Sequence, residues 1–120
     1  MKIKWLLDPG HGSDTKGKRS PKWEDGTQQL LEYEFNRVIT NLICAMMDEA
    51  GLDYIVLVTE MNDISLSERV KRANQIHKVE TAQGNTTVLV SIHGNAFSSP
   101  KPNGIEVFTT RGETKSDKAA

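Results

Sequence analysis

The sequence has 120 residues, of which 37% are hydrophobic and 26% are charged, and its formal net charge is -1. A single hydrophobic core normally organises about 100 to 200 residues, so residues 1–120 are predicted to form one domain. The balanced charge gives no reason to expect nucleic acid as a partner, and the lone Cys44 excludes an internal disulfide.

The first predicted element is a short buried strand over residues 3–7, where an apolar run ends at Asp8, Pro9 and Gly10. This apolar stretch is too short for a secretory signal or a membrane span, so the chain is expected not to encode its own export. A polar stretch over residues 12–29 then predicts a long surface loop. Loops of this length are often functional, although an expendable insertion is a fair competing explanation.

The first helix is predicted from apolar residues that recur at helical spacing between Phe35 and Met47, with Gly51 as a left-handed stop. Residues 54–59 are rich in β-branched and aromatic side chains and predict a second strand. Strand, helix and strand in succession are typical of a crossover unit, and such units build parallel sheets.

A second helix is predicted where the segment from Ser65 to Glu68 fits a capping box, and it should end before Gly84. Its apolar face is expected to consist of Leu66, Val70, Ala73 and Ile76.

Two further strands are predicted over residues 86–92 and 104–110, the last one after the breakers Pro100 and Pro102. Taken together, the elements predict an α/β fold of three layers. A mostly parallel mixed sheet is expected to lie between helices on both of its faces.

Two histidines occupy equivalent places, because His11 follows the first predicted strand and His93 follows the third. Ligands collect at the carboxyl ends of parallel strands, and Glu32, at the start of the first helix, is expected near the same edge. Two imidazoles and one carboxylate would give zinc three protein ligands and leave a position for water, an arrangement typical of catalytic sites. Asp8 and Asn95 are candidates to orient a ligating imidazole.

Each of these side chains also has a purely structural explanation. A lone histidine is more often a surface or hydrogen-bonded residue, and Glu32 is also a favourable charge in the first turn of a helix. Glu24 and Glu34 are alternative carboxylates on physical grounds. His77 lies in the second predicted helix with no partner at ligand spacing, and it is interpreted as an ordinary helix residue.

Several short motifs occur in order along the chain. They are LDPGHG at 7–12, Glu32 followed by Asn36, Ser67-Glu-Arg69, Ala73-Asn74, SIHGN at 91–95 and GIEV at 104–107. In order and spacing they resemble the zinc-dependent N-acetylmuramoyl-L-alanine amidases of bacterial cell-wall remodelling enzymes and phage endolysins. The family's Glu-x-x-x-Asn spacing selects Glu32 over Glu34 as the acidic ligand.

The resemblance implies hydrolysis of the amide that joins N-acetylmuramic acid to the L-alanine of the stem peptide in peptidoglycan. One zinc ion per chain, held by His11, Glu32 and His93, would polarise the scissile carbonyl and lower the pKa of water from about 15.7 toward about 7. The implied place of action is the bacterial cell wall, extracellular or periplasmic. Phage-type release or an upstream export signal would bring the protein there.

The chain departs from the family pattern at Glu60, where members usually have arginine, and at Ser13 and Gly94, where glycine and alanine are frequent. Family members also continue beyond Ala120 through a helix and a strand that carry a second glutamate, the general base. We therefore expect a C-terminal truncation and no general base in these residues. Loss of a strand would expose a sheet edge, which predicts self-association.

Two other functions stay open. A zinc peptidase that cuts within the stem peptide would use the same metal chemistry with different pocket contacts. A noncatalytic or weakly active wall-binding module is suggested by the missing glutamate.

Overall fold

The structure is a computed structural model that describes residues 1–96, 99 and 101–113. Its elements are β1 (Ile3–Pro9), α1 (Glu32–Glu49), β2 (Asp53–Val56), α2 (Leu66–Ala82) and β3 (Thr86–Ile92). The strands form one sheet in the order β2-β1-β3, and both pairings are parallel. The predicted α/β architecture is therefore confirmed.

Neighbouring side chains on the central strand β1 point to opposite faces of the sheet, as the strand geometry requires. Leu6 belongs to a buried cluster that includes Ala73 of α2. Leu7 belongs to a second buried cluster that includes Met47 of α1. The two helices therefore cover opposite faces, which gives the three predicted layers.

Local signals mark the start of α2 and the end of α1. The side chain of Ser65 caps α2, because its Oγ accepts a hydrogen bond from the backbone N–H of Glu68 at 3.3 Å. After α1, Gly51 has a φ of 65°, a left-handed conformation that favours glycine. α1 begins at Glu32, before the apolar spacing starts at Phe35.

The buried side of α1 contains polar residues. Asn36 and Thr40 are buried, whereas the apolar Val38 and Leu42 are more than half exposed. Burying polar groups is tolerated when they are hydrogen-bonded. Here Asn36 Nδ2 donates to the Gly10 carbonyl at 3.0 Å, and Thr40 Oγ1 donates to the Asn36 carbonyl at 2.7 Å. The first of these bonds fastens the start of α1 to the end of β1.

The prediction of a strand over residues 104–110 is wrong, since these residues form no strand in the structure. Ile105 and Phe108 are 95% and 82% exposed. Apolar and β-branched composition favours a strand only where the segment joins a sheet, and the described sheet consists of β2, β1 and β3 alone. The second strand is also shorter than predicted, because it ends at Val56.

Glu60, just beyond β2, is held by Arg72, whose two terminal nitrogens donate to its carboxylate oxygens at 3.0 and 2.7 Å. Hydrogen bonding to this guanidinium lowers the pKa of Glu60 from 4.5 to about 2. A carboxylate with a lowered folded-state pKa stabilises the fold above its unfolded-state pKa, and this contribution is lost as pH falls through the folded-state value.

We therefore expect the free energy of unfolding to fall between about pH 4.5 and pH 2 in wild type, and to fall less steeply in Glu60→Gln. Urea unfolding across this pH range measures the difference. Glu49→Gln, at the end of α1, is the control and should keep the wild-type slope. Equal slopes in Glu60→Gln and wild type would contradict the assignment.

Candidate metal centre

Three side chains that are distant along the chain meet at the carboxyl edge of the sheet. His11 follows β1, His93 follows β3, and Glu32 is the first residue of α1. Glu32 Oε1 lies 3.2 Å from His11 Nε2 and 3.2 Å from His93 Nδ1. The ligand-type atoms of all three residues lie within 4.8 Å of one another. The structure thus brings together the three residues that the sequence predicts as metal ligands.

The alternative carboxylates do not join this cluster. Within residues 1–96, 99 and 101–113, the His11, Glu32 and His93 group alone brings three metal-ligand side chains together. Glu34 accepts a hydrogen bond from the Tyr33 hydroxyl at 3.0 Å instead. Two residues along a helix correspond to about 200° of rotation, so Glu32 and Glu34 point to opposite sides of α1.

The site is partly shielded from water, since the side chains of His11 and Glu32 are 17% and 14% exposed and that of His93 is 46% exposed. Burial lowers the pKa of His11, although the Glu32 carboxylate opposes the shift. A metal-ligating imidazole must be neutral. The lowered pKa therefore extends to lower pH the range in which His11 has a free lone pair.

Gly10 and Gly12 allow the close approach of neighbouring groups to the β1 end. A Cβ on Gly10 would lie 2.1 Å from His93 Cε1, so the imidazole ring fills the space above this glycine. A Cβ on Gly12 would lie 2.1 Å from the backbone nitrogen of Asp63. The neighbour of Gly10 is therefore a side chain, which can rotate, whereas the neighbour of Gly12 is backbone, which cannot.

We expect Gly12→Ala to destabilise the fold by about 3 kcal/mol or more, since the added methyl group overlaps backbone that cannot rotate away. The free energy of unfolding in urea measures the loss. Ser13→Ala, at the next position, is the control and should stay within about 0.5 kcal/mol of wild type. A loss below about 1 kcal/mol in Gly12→Ala would show that the segment at Asp63 adapts.

The described hydrogen bonds of Asp8 and Asn95 go to groups other than the imidazoles, so they do not support the hypothesis that either residue orients a ligand. Asp8 Oδ1 accepts a hydrogen bond from Arg69 at 2.6 Å, and its Oδ2 accepts one from Ser91 at 3.2 Å. Asn95 Nδ2 donates to Glu106 Oε2 at 2.6 Å. Both side chains lie near the site but satisfy other groups.

Arg69 lies beside the candidate ligands, although it was not predicted from the sequence as a residue of this site. It is 5% exposed and shares the buried face of α2 with Ala73, whereas the predicted face residues Leu66 and Val70 are exposed. Arginine is rarely buried unless it is paired. Its burial could have been predicted from its helical spacing to Ala73 and Ile76, because this spacing places Arg69 on the same face of α2 as these two apolar residues.

A cavity of about 280 Å³ opens beside the two imidazoles, between the ends of β1 and β3 and the start of α2. His11, His93, Ser65 and Leu66 are among its lining residues. The space adjoins the candidate ligands, so a bound molecule would reach them directly. A second cavity of about 340 Å³ lies on the α1 side and is lined in part by Trp23.

His77 is separate from the candidate site, as predicted. It lies in α2, and its Nδ1 is 2.7 Å from Thr87 Oγ1 on β3.

Comparisons with known proteins identify similar sequences. A family model described as N-acetylmuramoyl-L-alanine amidase matches residues 6–120. The chain is 30% identical over 105 residues to N-acetylmuramoyl-L-alanine amidase LytC of Bacillus subtilis, covering 86% of this chain and 18% of that protein. It is 28% identical over 111 residues to N-acetylmuramoyl-L-alanine amidase AmiC of Escherichia coli, covering 91% of this chain and 24% of that protein.

Among solved structures, the CwlD amidase from Clostridioides difficile in complex with the GerS lipoprotein shares 24% identity and a TM-score of 0.47. The match covers 82% of this chain and 51% of that chain. The chain thus spans less than a quarter of the length of the curated relatives it matches, 18% and 24%.

Proposed function

Because the chain belongs to the N-acetylmuramoyl-L-alanine amidase family, we propose that it supplies the metal centre for zinc-dependent hydrolysis of the bond between N-acetylmuramic acid and L-alanine in peptidoglycan. The observation that supports this most directly is the convergence of His11, Glu32 and His93 at one edge of the sheet. The family match covers residues 6–120 and so includes all three positions.

The donor set suits zinc, since two imidazole nitrogens and one carboxylate oxygen are common ligands of catalytic zinc and leave one coordination position open. Zinc held there would polarise the scissile carbonyl and lower the pKa of water from about 15.7 toward about 7. The chain's own residues prepare the site. Burial of His11 favours its neutral form, and Gly10 leaves room for the His93 ring.

Amide hydrolysis also needs a group that accepts a proton from the attacking water. In the described part of the chain, the His11, Glu32 and His93 cluster contains no second carboxylate. Asp63, the nearby acid, is hydrogen-bonded to Thr15 and Arg69. We therefore propose metal binding for this chain and assign none of its described residues as the general base.

Product analysis on purified peptidoglycan tests the proposed reaction. Because no described residue is assigned as general base, the zinc-loaded chain should release stem peptides with new L-alanine amino termini only slowly, leaving the glycan intact, and His11→Ala should release none. New termini inside the stem peptide would favour the zinc peptidase instead. Wall binding without any release, measured by co-sedimentation, would favour the noncatalytic module.

The proposed place of action is the bacterial cell wall, because the substrate lies there. Among the described residues, no helix has the length and the apolar character needed to cross a membrane. The net charge of -1 gives no electrostatic basis for binding nucleic acid.

We also expect the chain to self-associate as its concentration rises. β2 and β3 are the outer strands of the three-stranded sheet, and Val38 and Leu42 expose apolar surface on α1. Unpaired strand edges and apolar patches both favour association. Light scattering should give a mass above 13.4 kDa for wild type, and Leu42→Lys should lower it more than the α2 control Val79→Lys. A stable wild-type monomer at high concentration would contradict this expectation.

A further inference from the structure

Arg69 is a buried arginine near the start of α2 whose donors are all engaged. A guanidinium has five N–H donors, and Arg69 faces five acceptor oxygens. The acceptors are the carbonyls of Ile64, Pro9 and His11 and one carboxylate oxygen each of Asp8 and Asp63. Such complete pairing fixes the plane of the guanidinium group.

Three of these acceptors lie in the short segment that ends at the first candidate ligand. Arg69 Nη1 donates to Asp8 Oδ1 at 2.6 Å and to the Pro9 carbonyl at 2.8 Å, and Nη2 is 3.5 Å from the His11 carbonyl. Arg37 of α1 donates to the same His11 carbonyl at 3.1 Å. Guanidinium groups from helices on both faces of the sheet therefore converge on the backbone of His11.

The backbone conformation of His11 is unusual. Its φ of 62° is the single positive φ of a residue other than glycine in the described part of the chain. A residue with a Cβ rarely adopts this left-handed conformation, and it persists where surrounding contacts fix it. In this conformation the carbonyl faces the two arginines, and His11 Nε2 lies 3.2 Å from Glu32 Oε1.

Arg69 is also connected to the strand that leads to the second histidine. Asp8 accepts from Arg69 with one carboxylate oxygen and from Ser91 with the other, at 3.2 Å. Ser91 precedes His93 by two residues. The Arg69 guanidinium thus binds the end of β1 directly, and it is linked to the end of β3 through the Asp8 carboxylate.

We propose that Arg69 is a positioning residue of the metal centre. It holds the His11 backbone in its left-handed conformation and so fixes the imidazole relative to Glu32 and His93. This inference rests on the proposed function, since it takes these three side chains to be the zinc ligands. The competing explanation is a buried ion pair with Asp8 that contributes to folding and leaves ligand geometry unaffected.

Arg69→Lys separates the two explanations, because lysine keeps a positive charge for Asp8 but has three donors and no planar fork. Arg72→Lys is the matched control. Arg72 lies one turn further along α2 and also bonds a carboxylate and a backbone carbonyl, those of Glu60 and Leu57. None of its described hydrogen bonds reaches residues 8–11.

Two quantities are measured for each variant: the zinc dissociation constant, by competition with a chelator, and the urea midpoint of the metal-free protein. We expect Arg69→Lys to weaken zinc binding about 10- to 100-fold, the usual effect of losing a group that orients a ligand, and Arg72→Lys to change it by less than about twofold. Unchanged zinc affinity in folded Arg69→Lys, or equal losses in both variants, would overturn the proposal.

A wild-type chain that binds no zinc would defeat the proposed function rather than this inference. The His11 ring resonances of the metal-free proteins then decide, and they should broaden or shift in Arg69→Lys but not in Arg72→Lys. Identical His11 resonances in wild type and Arg69→Lys would overturn the inference. Should Arg69→Lys fail to fold, Asp63→Asn weakens one of the five contacts and should reduce zinc affinity in the same direction; no reduction would count against the proposal.

Discussion

Replacing His11 by alanine is expected to weaken zinc binding by about 100- to 1,000-fold while leaving the fold intact. Zinc sites with four ligands contribute about 10–16 kcal/mol, which corresponds to about 2.5–4 kcal/mol per ligand and about two to three powers of ten in affinity. His93→Ala and Glu32→Gln should act in the same direction. The fold should survive because neither buried apolar cluster contains any of the three residues.

Each ligand substitution has a control in the same chain. His77→Ala removes an imidazole that contacts Thr87 near the start of β3, whereas His93 follows the end of that strand, and it should bind zinc as wild type does. Glu34→Gln removes a carboxylate two positions from Glu32. Metal content after dialysis and chelator competition measure the difference. If His11→Ala and His77→Ala retained zinc equally well, His11 would not be a ligand.

Gly10→Ala is expected to reduce zinc affinity by about 100-fold with little loss of stability. The new Cβ would lie 2.1 Å from His93 Cε1 and 2.5 Å from its Nε2, so the ring must leave its position. Its side chain is 46% exposed and can move into solvent, which limits the cost to about 1 kcal/mol of unfolding free energy. Displacing one of three ligands costs about as much affinity as removing it.

Gly94→Ala is the matched control for this substitution. Its Cβ would lie 3.3 Å from Glu32 Cγ and 3.6 Å from Phe35 Cδ1, separations that small adjustments relieve. Zinc affinity should therefore stay close to that of wild type, and urea unfolding should show both variants folded. Wild-type zinc affinity in Gly10→Ala would mean that the His93 ring is not needed where the structure has it.

The elements that could be predicted are those defined by local signals. The capping box places the start of α2 at Ser65, and the apolar run after Gly84 gives β3 with the bounds Thr86–Ile92. Local composition could not show whether residues 104–110 form a strand, because strand formation depends on an adjacent strand edge as well as on composition.

The local apolar pattern also could not predict which face of each helix is buried. α1 buries Asn36 and Thr40 while Leu42 is exposed, because each of the two polar side chains donates a hydrogen bond to a backbone carbonyl. α2 buries Arg69 for the same kind of reason. Apolar spacing identifies a helix, but hydrogen-bond partners contributed by distant segments determine which of its faces is buried.

The sequence was sufficient to predict that two imidazoles and one carboxylate would meet, with Glu32 selected among the carboxylates by the family's Glu-x-x-x-Asn spacing. His11 and His93 follow parallel strands, whose carboxyl ends share an edge, and topology alone brings them together. The contacts that hold His11 could be identified only in the folded chain. The five acceptors of Arg69 come from the end of β1 and from the segment before α2. These segments are far apart in the sequence, so residue spacing within either one cannot predict that they meet.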